Sequence, residues 1–334
     1  MRSRDEVVRI AAWSIAVAAG VASSTAVSAA PIIAGDVFIS GVDPTTFDAS
    51  HPNGDVRQFR VAGSTLSTVA TYKTSDEIAP GGITFGPGND LYVTNFAGLL
   101  SPSAGSVTAF VGANPQNSLT IGGGPSGPLA GQRPVSVAID ASGNRYVGAA
   151  GPLGLGGGDL YRFDAAGALT GQYDIKPVNQ AQARGVDWID LGPDQKTLYY
   201  TSFGRQVYRY DLTSGTLTAS VFADLPDAGC GTGASVCAAY EIKLLPDGGM
   251  LVADTVNIKR LDAAGNVVKT YDDPTTDADF FVSLALDLDG ASFWTVDLAN
   301  NEILRFNLGT AVAADMGNAG DLIMVGGIGV AGEP

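Results

Sequence analysis

Arg184, Tyr240 and Glu241 are side chains of the types that grip an anion. A guanidinium beside a phenol presents donors in a fixed arrangement that suits a carboxylate or a phosphate. Glu241 offers the plainer outcome, a salt bridge with Arg184. Two acidic stretches carry the hard oxygen donors that calcium takes. One is YDDPTTDAD, with Asp272, Asp273, Asp277 and Asp279; the other groups Asp43, Asp48 and Asp55. Neither has EF-hand spacing, and solvated loop charge accounts for both. Calcium or another divalent cation is thus the one cofactor left open, and none is required. Cys230 and Cys237, in CGTGASVC, are the only cysteines, and in an oxidising compartment they are expected to form a short-loop disulfide. The single histidine, His51, sits in a loop, HPNG, so no Ser-His-Asp set can be assembled. The Gly-rich run GLGGGD precedes a strand rather than a helix, and reads as a loop rather than a phosphate cradle.

The elements that must position these residues are constrained by composition. The chain has 334 residues, with 19 basic and 34 acidic side chains and a formal charge of −15. An acidic chain repels phosphate backbones, so no nucleic-acid partner is expected. Hydrophobic residues make up 45%, enough for a large core, and the 44 glycines favour a turn-rich fold.

The first residues, MRSRDEVVR, are basic; an apolar run from Ile10 to Ala22 follows, and small residues lead to VSAAP. That order is a secretory signal, residues 1–29, with cleavage after Ala29. The apolar run is shorter than the ~20 residues a spanning helix needs. No other long apolar segment follows, so the mature chain is expected to be secreted or periplasmic without a membrane span.

Internal repetition is the dominant signal in residues 30–334. The segment PGGITFGPGNDLYVTNFAG…GSVTAFVG reads as strand, Gly-rich turn, strand, loop, strand. It recurs from PVSVAIDASGN, RGVDWIDLGPDQ, YEIKLLPDGG and VSLALDLDGAS, aligning Tyr92, Tyr146, Tyr199, Leu251 and Trp294 in the second strands. Alternating strands with turn signals mark antiparallel sheet. The mature chain opens with a second strand, GDVFISG, and the missing first strand appears near the other terminus in MVGGIGVAGEP. The expected fold is all-β: a six-bladed β-propeller with four antiparallel strands per blade, closed by the C-terminal strand completing the first blade.

In such a wheel the first-to-second and third-to-fourth turns share one face, and here they are tight: GPGN, DASGN, GPDQK, PDGG and DAAG. The longer insertions belong to the other face, where binding residues are expected. Counting from the first-strand Gly or Ser places Gly81, Val135, Arg184, Tyr240, Val282 and Gly326 on the channel wall, bringing Arg184, Tyr240 and Glu241 to one channel mouth. Asn95, Asp254 and Asp297 recur at one place in the repeat, which points to turn hydrogen bonding rather than catalysis.

PGGITFGPGNDLYVTN and LVADTVNIKRLD resemble the NHL-repeat propellers and the related gluconolactonase, or senescence-marker-protein, propellers, over nearly the whole mature chain. The gluconolactonase-like resemblance implies a hydrolase with a divalent cation held in the channel by carboxylate and amide oxygens. Two of the implied ligand positions fall on Arg184 and Tyr240, a cation and a phenol, which argues against a metal lactonase; Asp187 keeps the Asp of the family's Asp-Trp pair and is expected to pack or hydrogen-bond. The reading reached is an exported binding or interaction protein, expected to be a monomer, that takes a small molecule, glycan or protein on its long-loop face. The alternative is a metal-dependent lactonase or esterase-like hydrolase with a relocated metal site, and a third is a structural component of the cell envelope or matrix.

Overall fold

In the computed structural model the structure describes residues 31–43, 54–74, 79–96, 105–114, 116–124, 126–151, 158–175, 185–215, 219–226, 238–274, 279–320 and 322–334. The export segment 1–29, His51, Asp48, Arg184, Cys230, Cys237 and Asp277 lie outside them.

The strands follow the repeat. They are β1 (Val37–Val42), β2 (Gly54–Ala62), β3 (Thr65–Lys73), β4 (Ala79–Phe85), β5 (Leu91–Phe96), β6 (Ser106–Phe110), β7 (Ser118–Ile121) and β8 (Arg133–Ile139). Next come β9 (Arg145–Ala150), β10 (Leu160–Phe163), β11 (Leu169–Tyr173), β12 (Ile189–Leu191), β13 (Thr197–Thr201), β14 (Gln206–Asp211), β15 (Ser220–Asp224) and β16 (Ala239–Leu244). The last are β17 (Met250–Asp254), β18 (Asn257–Leu261), β19 (Val267–Tyr271), β20 (Phe281–Leu286), β21 (Ser292–Asp297), β22 (Glu302–Asn307), β23 (Ala313–Asn318) and β24 (Ile323–Val330). They form six four-stranded antiparallel sheets, five of consecutive strands and one ordered β24-β1-β2-β3. Val37 pairs with Val330 and Ile39 with Ile328, so the C-terminal strand is the innermost strand of the first blade. No helix among the described residues is long and apolar enough to cross a membrane.

Tight turns on one face come from a repeated local chemistry. In DASGN, DAAGA and DAAGN, the first Asp accepts backbone N–H bonds from residues two and four positions on: Asp140 from Ser142 and Asn144, Asp164 from Ala166 and Ala168, Asp262 from Ala264 and Asn266, each at 2.9 Å. The intervening Gly143, Gly167 and Gly265 have φ of +78°, +85° and +87°, a region that a Cβ disfavours.

The core lies between blades rather than at the centre. Six buried apolar clusters each combine residues of two neighbouring blades. Between the first and sixth, Val37, Ile39 and Ile328 meet Trp294 and Val296; between the fifth and sixth, Tyr271 packs edge-on to Phe293, which stacks on Phe306. Each large side chain so buried contributes about 1.5–3 kcal/mol. The seam between the first and second blades is closer still. A Cβ on Gly327 would stand 2.7 Å from the Gly81 carbonyl oxygen, and one on Gly326 would run into the Pro80 carbonyl. The GGIG sequence of β24 is therefore what lets the closing strand lie against β4.

Candidate functional site

Six innermost strands, β4, β8, β12, β16, β20 and β24, surround the channel. Their register fixes which residues are equivalent. Thr84 pairs with Tyr92, Ala138 with Tyr146, Asp190 with Tyr199, Lys243 with Leu251 and Ala285 with Trp294. Three residues upstream, the counterpart of Tyr240 in the fourth blade is Asp187, not Arg184. The motif count anchored on Gly185, but the fourth blade carries Trp188 at the place that Gly82, Ser136 and Ser283 take in other blades, three positions further on. Asp187 is buried; its backbone N–H donates to Thr201 O at 3.0 Å and its carbonyl accepts from Ser136 Oγ at 2.7 Å.

Inside the channel is a cavity of about 140 Å³. Phe85, Ile139 and Leu191 line part of it and Trp188, Asp190, Glu241 and Lys243 another part, with Gln195 from the turn after β12 at the tight-turn end. A charge cluster occupies this wall. Lys243 Nζ lies 3.2 Å from Glu333 Oε1 and 3.7 Å from Glu241 Oε1. Each carboxylate also accepts a backbone N–H from an innermost strand: Asp190 from Leu244 at 2.7 Å, Glu241 from Leu284 at 2.8 Å, Glu333 from Leu286 at 2.7 Å.

Burial pushes the Glu241 carboxyl up to about 8, against the lowering effects of Lys243 and the Leu284 N–H. Burial likewise raises Asp190 and Glu333. It opposes the Lys243 ammonium, but Glu333, Glu241 and Asp190 outweigh it and raise Lys243 above the ordinary lysine range. The donor set does not fit the divalent cation that the lactonase-like resemblance implies, because an ammonium already sits among the carboxylates and each of them is tied to a backbone N–H. Among the described residues no group of three or more His, Cys, Asp or Glu side chains is arranged to hold a metal. Of the acidic loop, Asp273 is buried and Asp272 exposed, and Asp277 lies outside the described residues.

Tyr240 and Glu241, adjacent in sequence, serve different surroundings. Glu241 belongs to the charge cluster. Tyr240 stands at the opposite, long-loop end of β16, packed edge-on between two aromatic rings, Phe203 at 5.9 Å and Phe280 at 5.6 Å between centroids, with interplanar angles of 89° and 88°. All three rings are partly exposed. Tyr240 also packs on the buried cluster of Val135, Ala150 and Trp188, which fixes its position. Sequence reading missed Phe203 and Phe280; the available signal was an aromatic in each of two adjoining long-loop segments, TSFGR and ADFF.

The three recurrent polar residues make hydrogen bonds. Asn95 Nδ2 donates to Ser106 Oγ and Thr108 Oγ1, both at 2.8 Å. Asp297 Oδ1 accepts the Phe280 and Ala299 N–H groups, both at 2.9 Å. Asp254 pairs with Lys259.

No protein-family model matches this chain, and no curated protein matches it in sequence. Solved structures do. A chain from the crystal structure of a nidogen/laminin complex superposes with a TM-score of 0.61 at 12% identity, covering 89% of this chain and 98% of that one. A protein of unknown function from Bacteroides caccae does so with a TM-score of 0.60 at 10% identity, covering 90% of this chain and 100% of that one. Likeness at this level of identity concerns the fold alone: the chain is a six-bladed β-propeller.

Proposed function

We propose that the protein is an exported binding propeller whose long-loop face receives a protein partner. The observation that carries this reading is the partly exposed row Phe203–Tyr240–Phe280 beside the channel mouth, on a rigid wheel. Aromatic side chains are enriched at protein interfaces because they offer large contact area at low conformational cost. The row is held from below by Trp188, so little ordering remains for a partner to impose. A similar wheel occurs in the crystal structure of a nidogen/laminin complex, which is consistent with a propeller serving as a docking module. The signal-like order of residues 1–29 and the two cysteines Cys230 and Cys237 are the sequence features that support export.

Photo-crosslinking tests the reading. A photoreactive residue is placed at Phe203 or Phe280, and a control at Ala264 on the tight-turn face, in protein expressed with its own signal in its native host. Crosslinks to one defined protein from the long-loop positions, lost when Tyr240→Ala is added, are the expected result. Equal crosslinking from Ala264, or a long-loop adduct insensitive to Tyr240→Ala, rejects it. N-terminal sequencing of the exported chain is expected to begin at Ala30.

A further inference from the structure

The fifth blade buries an amine, a primary amide and a carboxylate together. Asp254, the last residue of β17, pairs directly with Asn257, the first of β18, and Lys259 lies two residues along β18 on the same face, opposite Val252. Lys259 is 1% exposed, Asp254 1% and Asn257 8%. The Lys259 ammonium donates to Asn257 Oδ1 at 2.7 Å and to Asp254 Oδ2. With a C=O length of about 1.23 Å, Nζ then lies within about 4 Å of the Asn257 carbonyl carbon. The second blade closes the same place in the repeat with neutral groups, Asn95, Ser106 and Thr108. The fold therefore does not require a charged amine at this place in the repeat.

We propose that Lys259 and Asn257 form an intramolecular isopeptide bond, with Asp254 as proton carrier. Asp254 touches the Lys259 ammonium directly and is placed to take its proton. The freed Nζ lone pair attacks Asn257 Cγ. Asp254 then returns the proton to the departing amide nitrogen, the Cγ–Nδ2 bond breaks, and ammonia leaves with the Nζ proton lost on forming the new amide. One N–C bond forms and one breaks, nothing is oxidised or reduced, and no co-reactant is needed. Proximity supplies what a free amine and amide lack in solution, and exclusion of water protects the product from hydrolysis. The bond would staple β18 at the hairpin where the fifth blade meets the long-loop face.

Intact mass spectrometry of the purified folded protein, followed by tryptic mapping after denaturation, tests this. The expected mass is lower than that of the sequence by one ammonia, with the loss confined to the peptide holding Asn257 and Lys259, and with cleavage after Lys259 blocked while cleavage after Arg260 proceeds. Lys259→Arg keeps the cation and is expected to restore the full mass; Asp254→Ala is expected to leave the amine and amide unlinked. An unaltered wild-type mass with normal cleavage after Lys259 overturns the proposal. So does loss of water instead of ammonia, which would assign the bond to Asp254. A third overturning result is an ammonia loss that reverts in mild base and leaves Lys259 cleavable, the behaviour of a succinimide at Asn257.

Discussion

Lys243 Nζ stands 3.2 Å from Glu333 Oε1, an ion pair that joins the innermost strand of the fifth blade to the segment after the ring-closing strand. Glu333 also accepts the Leu286 N–H of the sixth blade, so one carboxylate ties three parts of the wheel together at the channel. The pair draws on Glu241 and Asp190 as well, and the four groups behave as one unit.

Removing the cation from that unit exposes what it compensates. Lys243→Met leaves three largely buried carboxylates without their shared counter-charge, and breaking a buried pair in this way costs about 3–5 kcal/mol. Chemical denaturation is expected to show that loss. Adding Glu241→Gln should recover part of it at alkaline pH, where Glu241 would otherwise carry a charge without a partner.

The same cluster sets a pH dependence. Glu241 titrates near 8 when folded, against an ordinary 4.5. The folded chain therefore holds a proton that the unfolded chain has released, and stability falls as pH rises through that interval. The contribution is fully present below about 4.5 and is lost as pH passes about 8. Asp190 and Glu333 shift in the same direction. Scanning calorimetry between these limits should show a falling Tm, with a shallower slope in Glu241→Gln.

Ser136 links the third and fourth blades by two bonds, donating to Asp187 O at 2.7 Å and accepting from Ile189 N at 3.0 Å. Ser136→Ala leaves a buried N–H and a buried carbonyl short of a partner, at a cost of about 1–3 kcal/mol. Gly148→Ala strikes the same junction by a different route, because its Cβ would stand 2.5 Å from Asp187 O and 2.9 Å from Ser136 Oγ. Both variants should unfold at lower urea than the wild type.

Closure of the wheel depends on an absence of side chains. Gly326→Ala would force a methyl group into the Pro80 carbonyl. Overpacking of this kind costs about 1–3 kcal/mol. Limited proteolysis is expected to cut near Ile323–Val330 sooner in this variant than in the wild type.

The repeat could be read from one sequence because its signals are local. A turn such as DASGN needs only its own Asp and Gly, and Tyr92, Tyr146 and Tyr199 mark equivalent strands by their spacing. The glycines of MVGGIGV likewise matched those of APGGITF, so the pairing of the two chain ends was legible. Site residues were less so. Tyr240 and Glu241 are sequence neighbours, yet one lies in an aromatic row and the other in an ion cluster, and no pattern within β16 announces the difference.

The sequence by itself determined the number of blades, the closing strand and the face that carries the insertions, since each follows from hydrophobic alternation and turn chemistry within about fifty residues. The tertiary structure decided the rest. Lys243 and Glu333 meet although 90 residues separate them. Phe203, Tyr240 and Phe280 meet edge-on from three different blades, and Asp187 takes the place that counting assigned to Arg184. These outcomes depend on strand register and on how neighbouring blades face one another, and a single shift in an innermost strand moves a side chain from one surrounding to another.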